Sequence, residues 1–197
     1  MSKTTISKTQ TRITTCALTL FKERGYNNVT IQDICKYAEV TKSTFYYHFP
    51  SKEALIEYYT DEISQSTQEN FSDIISHDSY IQQLWALFNS YTQKNNEYGV
   101  SIVNQVYSTV LSTCDEIDFP ESLSLFNTVV IIIKKAQKAK EINNLSLPSE
   151  LAKILYYGAR GIVYSWAAEQ GAFSLEDKLK DLFNTLLLPT EEHVITL

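Results

Sequence analysis

Between Thr30 and Phe49 two helical registers follow each other with almost nothing between them, which few folds accommodate. Thr30 with Asp33 three residues on spells a capping box, the side chain of each satisfying the other's backbone amide at a helix start. Ile31, Ile34, Cys35 and Ala38 then share one helical face. Glu39 and Val40 leave room only for a tight connection, Val40 as its apolar plug, before Thr41 caps a second helix running to His48. Pro50 cannot continue it. Helices this short need something to pack on. The stretch Lys8 to Arg24 supplies it, with Ile13, Ala17, Leu20 and Phe21 at i, i+4, i+7 and i+8. Gly25 ends that helix, and Lys22 and Arg24 suit its negative end. The spacing predicts a helix-turn-helix on a supporting helix.

In the second helix of the pair, Phe45 and Phe49 lie four apart and face inward with Val40. Lys42, Ser43, Thr44, Tyr46 and Tyr47 are thereby turned outward, since one face cannot bury all four aromatics. From Lys42 to Phe49 such a helix spans about 12 Å, the width of the B-DNA major groove. Charge agrees with a polyanion partner. The net charge of −6 conceals a division: residues 1–52 hold eight Lys/Arg against three acids, a balance of +5, while the rest hold nine against twenty, a balance of −11. Ser51 is positioned to cap a further helix, with Lys52 and Glu53 in its first turn.

The segment from Ala17 to Leu55 resembles the DNA-binding domain of TetR-family transcriptional regulators. The likeness is carried by Leu20-Phe21, Gly25-Tyr26, Val29-Thr30-Ile31, Asp33-Ile34, the run from Val40 to Phe49, and Ser51 to Leu55. Glu39 stands where that family usually has glycine. The resemblance implies an all-α homodimer: an N-terminal three-helix DNA-binding domain with a helix-turn-helix in residues 1–50, and a C-terminal helical ligand-binding and dimerisation domain in residues 51–197, about nine helices in all. It implies that Lys42, Ser43, Thr44 and Tyr46 face bases or groove walls and that Thr30, Tyr47, His48 and Lys52 contact phosphates; Thr41 is counted with the DNA-binding set. Plainer roles compete at several positions: Thr30 as a cap, His48 as a helix end, Cys35 as core. Lys3, Lys8 and Arg12 suit either a basic arm or solvated charge.

Beyond Ser51 the sequence reads as six helices near 51–68, 79–95, 98–113, 121–140, 149–170 and 174–188. The first joins head to body directly, with Ala54, Leu55, Tyr58, Tyr59 and Ile63 on its buried face. The fourth, with Leu125, Phe126, Val129 to Ile133, Ala136 and Ala139, is apolar too far around to lie on a surface, and its Lys134, Lys135, Lys138 and Lys140 are expected to be solvated. The last two carry Leu155, Gly158, Ile162, Trp166, Leu179, Leu182, Phe183 and Leu186, which the resemblance assigns to a dimer interface presenting two recognition helices to half-sites about 34–36 Å apart. Body aromatics Trp85, Phe88, Tyr91, Tyr107, Phe126, Tyr156 and Tyr164 are the candidate lining of a pocket for an unidentified small-molecule effector.

Other classes find little here. No Gly-rich phosphate loop, metal-ligand pair or nucleophile with an ordered His and acid is written, so neither an enzyme nor a cofactor is expected. Three cysteines at wide spacing with three His make neither a disulfide framework nor a zinc site. The longest aliphatic stretch is far short of a membrane span and the first residues are polar, which points to a cytoplasmic protein without membrane contact. The sequence leaves two alternatives to a ligand-released repressor of a palindromic operator. One is a redox-responsive regulator acting through Cys114, whose acidic neighbours Asp115 and Glu116 slow thiolate chemistry. The other is a helical adaptor without DNA binding.

Overall fold

The computed structural model describes residues 7–56, 74, 76–113 and 124–196. Among them the α-helices are α1 (Lys8–Arg24), α2 (Ile31–Tyr37), α3 (Lys42–His48), α4 (Tyr80–Tyr98), α5 (Val100–Thr113), α6 (Ser124–Ala139), α7 (Pro148–Ala168) and α8 (Leu175–Leu187). A further helix begins at residue 54, and Tyr58, Tyr59, Ile63 and Cys114 lie outside the described residues.

The head is built on α1. Ser7 caps it, its hydroxyl accepting from Gln10 N, and its end at Gly25 has φ 81°. Ile13, Ala17, Leu20 and Phe21 enclose a core with Ile34, Cys35, Ala38, Phe45 and Phe49. Leu55, Ile56 and Ile102 belong to the same core, so the start of the linking helix and one residue of α5 are packed with the head.

In the body, α4, α6, α7 and α8 surround an apolar core that includes Leu84, Phe88, Val129, Ile133, Leu155, Leu179 and Phe183. Glu141 organises one end of it. Its buried carboxylate accepts from Ser79 Oγ, Tyr80 N and Ile81 N, holding the start of α4, while its carbonyl accepts from Thr190 N at 2.9 Å. Three donors offset the desolvation of that charge, and the helix N-terminus favours it.

The helices expected near 79–95, 98–113, 121–140, 149–170 and 174–188 are present, with ends displaced by one to a few residues, while the one expected near 51–68 lies largely outside the described residues. The apolar circumference of α6 is not enclosed as expected. Phe126, Val129, Ile132, Ile133 and Ala136 are buried, but Ile131 is 52% exposed. A run of consecutive aliphatics covers every direction around a helix, and packing needs only one side of it.

Candidate nucleic-acid interface

The capping box at α2 is formed in full. Asp33 N donates to Thr30 Oγ1 at 3.2 Å, and Thr30 N and Thr30 Oγ1 donate to Asp33 Oδ2 at 2.9 and 2.6 Å. The Thr30 hydroxyl and then its amide hold the Asp33 carboxyl below its ordinary pKa. Both donors of Thr30 are thus engaged within the head. The turn to α3 is closed by Val40 N donating to Cys35 O at 2.9 Å, and Glu39 takes the left-handed conformation with φ 52°. That conformation is the reason glycine is favoured there, and Glu39 adopts it at a cost of about 1–2 kcal/mol.

At the start of α3 the Thr41 hydroxyl accepts from Thr44 N and lies 2.8 Å from both Ser43 Oγ and Thr44 Oγ1. Three adjacent hydroxyls give this end a donor-and-acceptor surface able to address either kind of base edge. Phe45 and Phe49 are buried, anchoring the helix from below. Tyr46 and Tyr47 are 53% and 84% exposed, and Lys42 and Ser43 stand beside them on the open side. His48 is half-buried, its ring edge-on to Tyr47 at 5.0 Å. Lys42, Ser43, Tyr46 and Tyr47 therefore share one exposed surface, with Thr44 half-buried at its edge.

Lys52 does something the spacing did not reveal. Its Nζ donates to Tyr26 O and Val29 O at 2.9 and 3.0 Å and lies 3.9 Å from the centre of the Tyr26 ring. Desolvation lowers its pKa. Two of its three hydrogens are directed into the head, so any phosphate is left the third. Next to it Glu53 accepts from Tyr26 Oη at 3.2 Å, with its own backbone amide and the Ser51 hydroxyl holding its carboxyl below the ordinary value. Tyr26 is the hub of this clasp, and its residue type alone carries no signal of that role.

Head and body meet where α1 ends and α4 passes into α5. Lys22 Nζ donates to Glu97 O at 2.9 Å, and Tyr26 N donates to Ser101 Oγ at 2.8 Å. Clefts of about 590 and 300 Å³ flank this seam, and Lys22 lines both. None of the aromatics expected to line a pocket borders either cleft.

Those aromatics fall into two groups rather than one lining. Trp85, Phe88, Phe126 and Tyr156 form a string with Phe183 through the core, at ring separations of 5.1 to 6.1 Å. Tyr107 and Tyr164 pair at 5.4 Å elsewhere, Tyr107 Oη donating to Arg160 O at 3.0 Å, and Tyr91 packs with Tyr107 in the same small cluster. The expected dimer residues also divide. Leu155, Leu179 and Phe183 are enclosed within the subunit and Trp166 nearly so, while Gly158, Ile162, Leu182 and Leu186 are half-buried. Gly158 allows α8 close: a Cβ there would lie 2.6 Å from Leu182 Cδ2. The outward side of α7 carries Ile154, Tyr157, Gly161 and Tyr164 at 3-4-3 spacing. Their period marks a second apolar face, and a helix apolar on two sides does not announce which one turns inward.

The family model for bacterial regulatory proteins of the tetR family matches residues 13–59, the head and the start of the linking helix. The HTH-type transcriptional repressor DhaR of Mycobacterium sp. (strain GP1) is 29% identical over 178 residues, covering 87% of this chain and 89% of that protein. The fold resembles the crystal structure of a TetR-family transcriptional regulator from Pectobacterium atrosepticum, with a TM-score of 0.68 and 17% identity over 100% of this chain and 99% of the other. It also resembles FadR of Thermus thermophilus, a TetR-family transcriptional repressor solved with lauroyl-CoA, with a TM-score of 0.61 and 20% identity over 95% of each chain.

Proposed function

We propose that the chain is a TetR-family regulatory protein and that it is a ligand-responsive repressor that binds a palindromic operator as a homodimer. The observation that carries this reading is the two-sided character of α3. Phe45 and Phe49 are sealed below, Lys42, Ser43, Tyr46 and Tyr47 are exposed above, and Thr44 is half-buried beside them. A core helix has no use for two exposed tyrosines beside a lysine and a hydroxyl cluster, whereas a groove takes all of them. In this reading Lys42, Ser43, Thr44 and Tyr46 meet bases or groove walls and Tyr47 and His48 meet phosphates. Thr41 and Thr30 hold the helix starts that set their positions, and Lys52 braces the head while offering its remaining hydrogen to the backbone.

The dimer forms through the outward side of α7 and the flank of α8. The 3-4-3 row Ile154, Tyr157, Gly161 and Tyr164 supports that assignment, because an apolar row of this length is unusual on a solvated helix. A small molecule in the helical body prefers the DNA-free arrangement and lowers operator affinity by its differential affinity for the two forms; by reciprocity, DNA weakens ligand binding. The protein works in the cytoplasm and catalyses no reaction. Gel shifts on the DNA upstream of its own gene, at stated salt, test the reading. Two protomers per site and an affinity that falls steeply with salt are expected. Purified protein that stays monomeric and ignores duplex DNA in dilute buffer overturns it.

A further inference from the structure

Among the described residues one buried side-chain oxygen has no hydrogen-bond partner: Tyr156 Oη. Buried hydroxyls are nearly always paired, and leaving one unpaired costs stability that a phenylalanine of the same shape would not incur. Nothing in the head–body clasp or in the DNA-facing surface uses this group.

Its surroundings define what would pair with it. The Tyr156 ring sits 5.1 Å from that of Phe88 and 6.1 Å from that of Phe126. Phe88 meets Phe183 edge-on at 5.6 Å, and Phe183 meets Trp85 edge-on at 5.5 Å. The string thus touches α4, α6, α7 and α8 in one place. The cation at its far end is Lys180, 5.8 Å from the Trp85 ring, and Glu176 already neutralises it at 2.8 Å. The Tyr156 hydroxyl stays protonated, since burial pushes its pKa up to about 12. A neutral donor among aromatic rings suits a neutral oxygen acceptor on an otherwise apolar molecule.

We propose that the effector is a largely apolar molecule bearing one neutral carbonyl or ether oxygen, and that Tyr156 Oη donates to that oxygen. The proposal rests on the regulatory reading above and adds the ligand's chemistry to it. Position explains how such binding is felt at the head. Trp85 and Phe88 lie on α4, whose end supplies Glu97 O to Lys22.

A matched pair of probes tests it on the full-length protein: acetophenone, and α-methylstyrene, in which a methylene replaces the carbonyl oxygen. Affinities are measured by ligand-observed NMR for the wild type and for Tyr156→Phe. The ratio of acetophenone to α-methylstyrene affinity is expected to fall about fivefold in the variant, the loss of one hydrogen bond, while the melting temperature holds or rises. Acetophenone labelled with ¹³C at its carbonyl should show the downfield shift of a hydrogen-bonded ketone on the wild type, a readout that needs no variant. An unchanged ratio, a carbonyl shift matching that in hydrocarbon solvent, or no binding of either probe up to its solubility overturns the proposal. Operator binding by the same preparations separates the two levels: protein that binds DNA yet treats the probes alike refutes the Tyr156 anchor alone, and protein that binds no DNA refutes the regulatory reading.

Discussion

The amide of Tyr26 donates to Ser101 Oγ at 2.8 Å, joining the second residue beyond the supporting helix of the head to the first turn of α5 in the body. The same tyrosine accepts Lys52 Nζ at its carbonyl and donates its hydroxyl to Glu53. One residue therefore holds three parts of the chain in register. Replacing Ser101 by Ala removes the acceptor without disturbing packing. Stability should fall by about 0.5–1.5 kcal/mol in urea titrations, and the Tyr26 amide should exchange with deuterium faster than in the wild type. Unchanged exchange would mean that the bond does not restrain the seam in solution.

Two substitutions in α3 should separate reading from folding. Tyr47→Ala removes an exposed side chain, so stability stays within about 0.5 kcal/mol while operator affinity drops. Phe45→Ala empties a fully buried position and should cost about 3–5 kcal/mol, unfolding much of the head at modest temperature. Thermal melts and gel shifts on both proteins check the contrast; equal losses of stability would contradict it.

Glu39→Gly relieves a left-handed residue that has a side chain. Offset by the greater freedom of glycine in the unfolded chain, the gain should be about 0.5–1 kcal/mol, visible as a higher melting temperature with DNA affinity intact. A drop in stability would show that the Glu39 side chain contributes more than its backbone costs.

Gly161 offers a clean test of assembly. A Cβ there meets nothing within 4 Å in the subunit, so Gly161→Arg should leave the protomer folded, even helped by about 0.5–1 kcal/mol of helix propensity. Sedimentation should nevertheless report a monomer, and operator affinity should fall with it. A dimer that survives this change uses a different face.

Acid should loosen the head first. Asp33 and Glu53 both have carboxyls held below their ordinary values by hydrogen bonds of the folded state. A group whose folded pKa is lowered adds stability above its unfolded pKa and loses it as pH falls through the folded value. Circular-dichroism melts from pH 7 to pH 3 should therefore show a decline through the carboxylate range that is shallower in Asp33→Asn. Parallel curves for the two proteins would remove Asp33 as a contributor.

What the sequence made legible was what adjacent residues decide among themselves. The capping box, the buried Phe45–Phe49 pair and the exposed tyrosines follow from offsets of three and four residues, which helical geometry turns into contacts directly. The inward turn of Lys52 was not legible, because its partners are backbone carbonyls 23 and 26 residues away and every residue has one. The division of the body aromatics escaped for a related reason. Trp85 through Tyr164 all stand at helical spacing, and which of them meet depends on how α4, α6, α7 and α8 pack. In α7 the spacing grouped Leu155 and Trp166, which the subunit encloses, with the half-buried Gly158 and Ile162, because both apolar faces of the helix share one period.

Helix α4 is gripped at both tips. Glu141 binds the amides at its start, and Lys22 takes the Glu97 carbonyl in its last turn. Its 19 residues span roughly 28 Å. A rod fastened in this way transmits displacement instead of absorbing it, so a wedge driven among the rings midway along α4 would tilt the reading head without either fastening having to break.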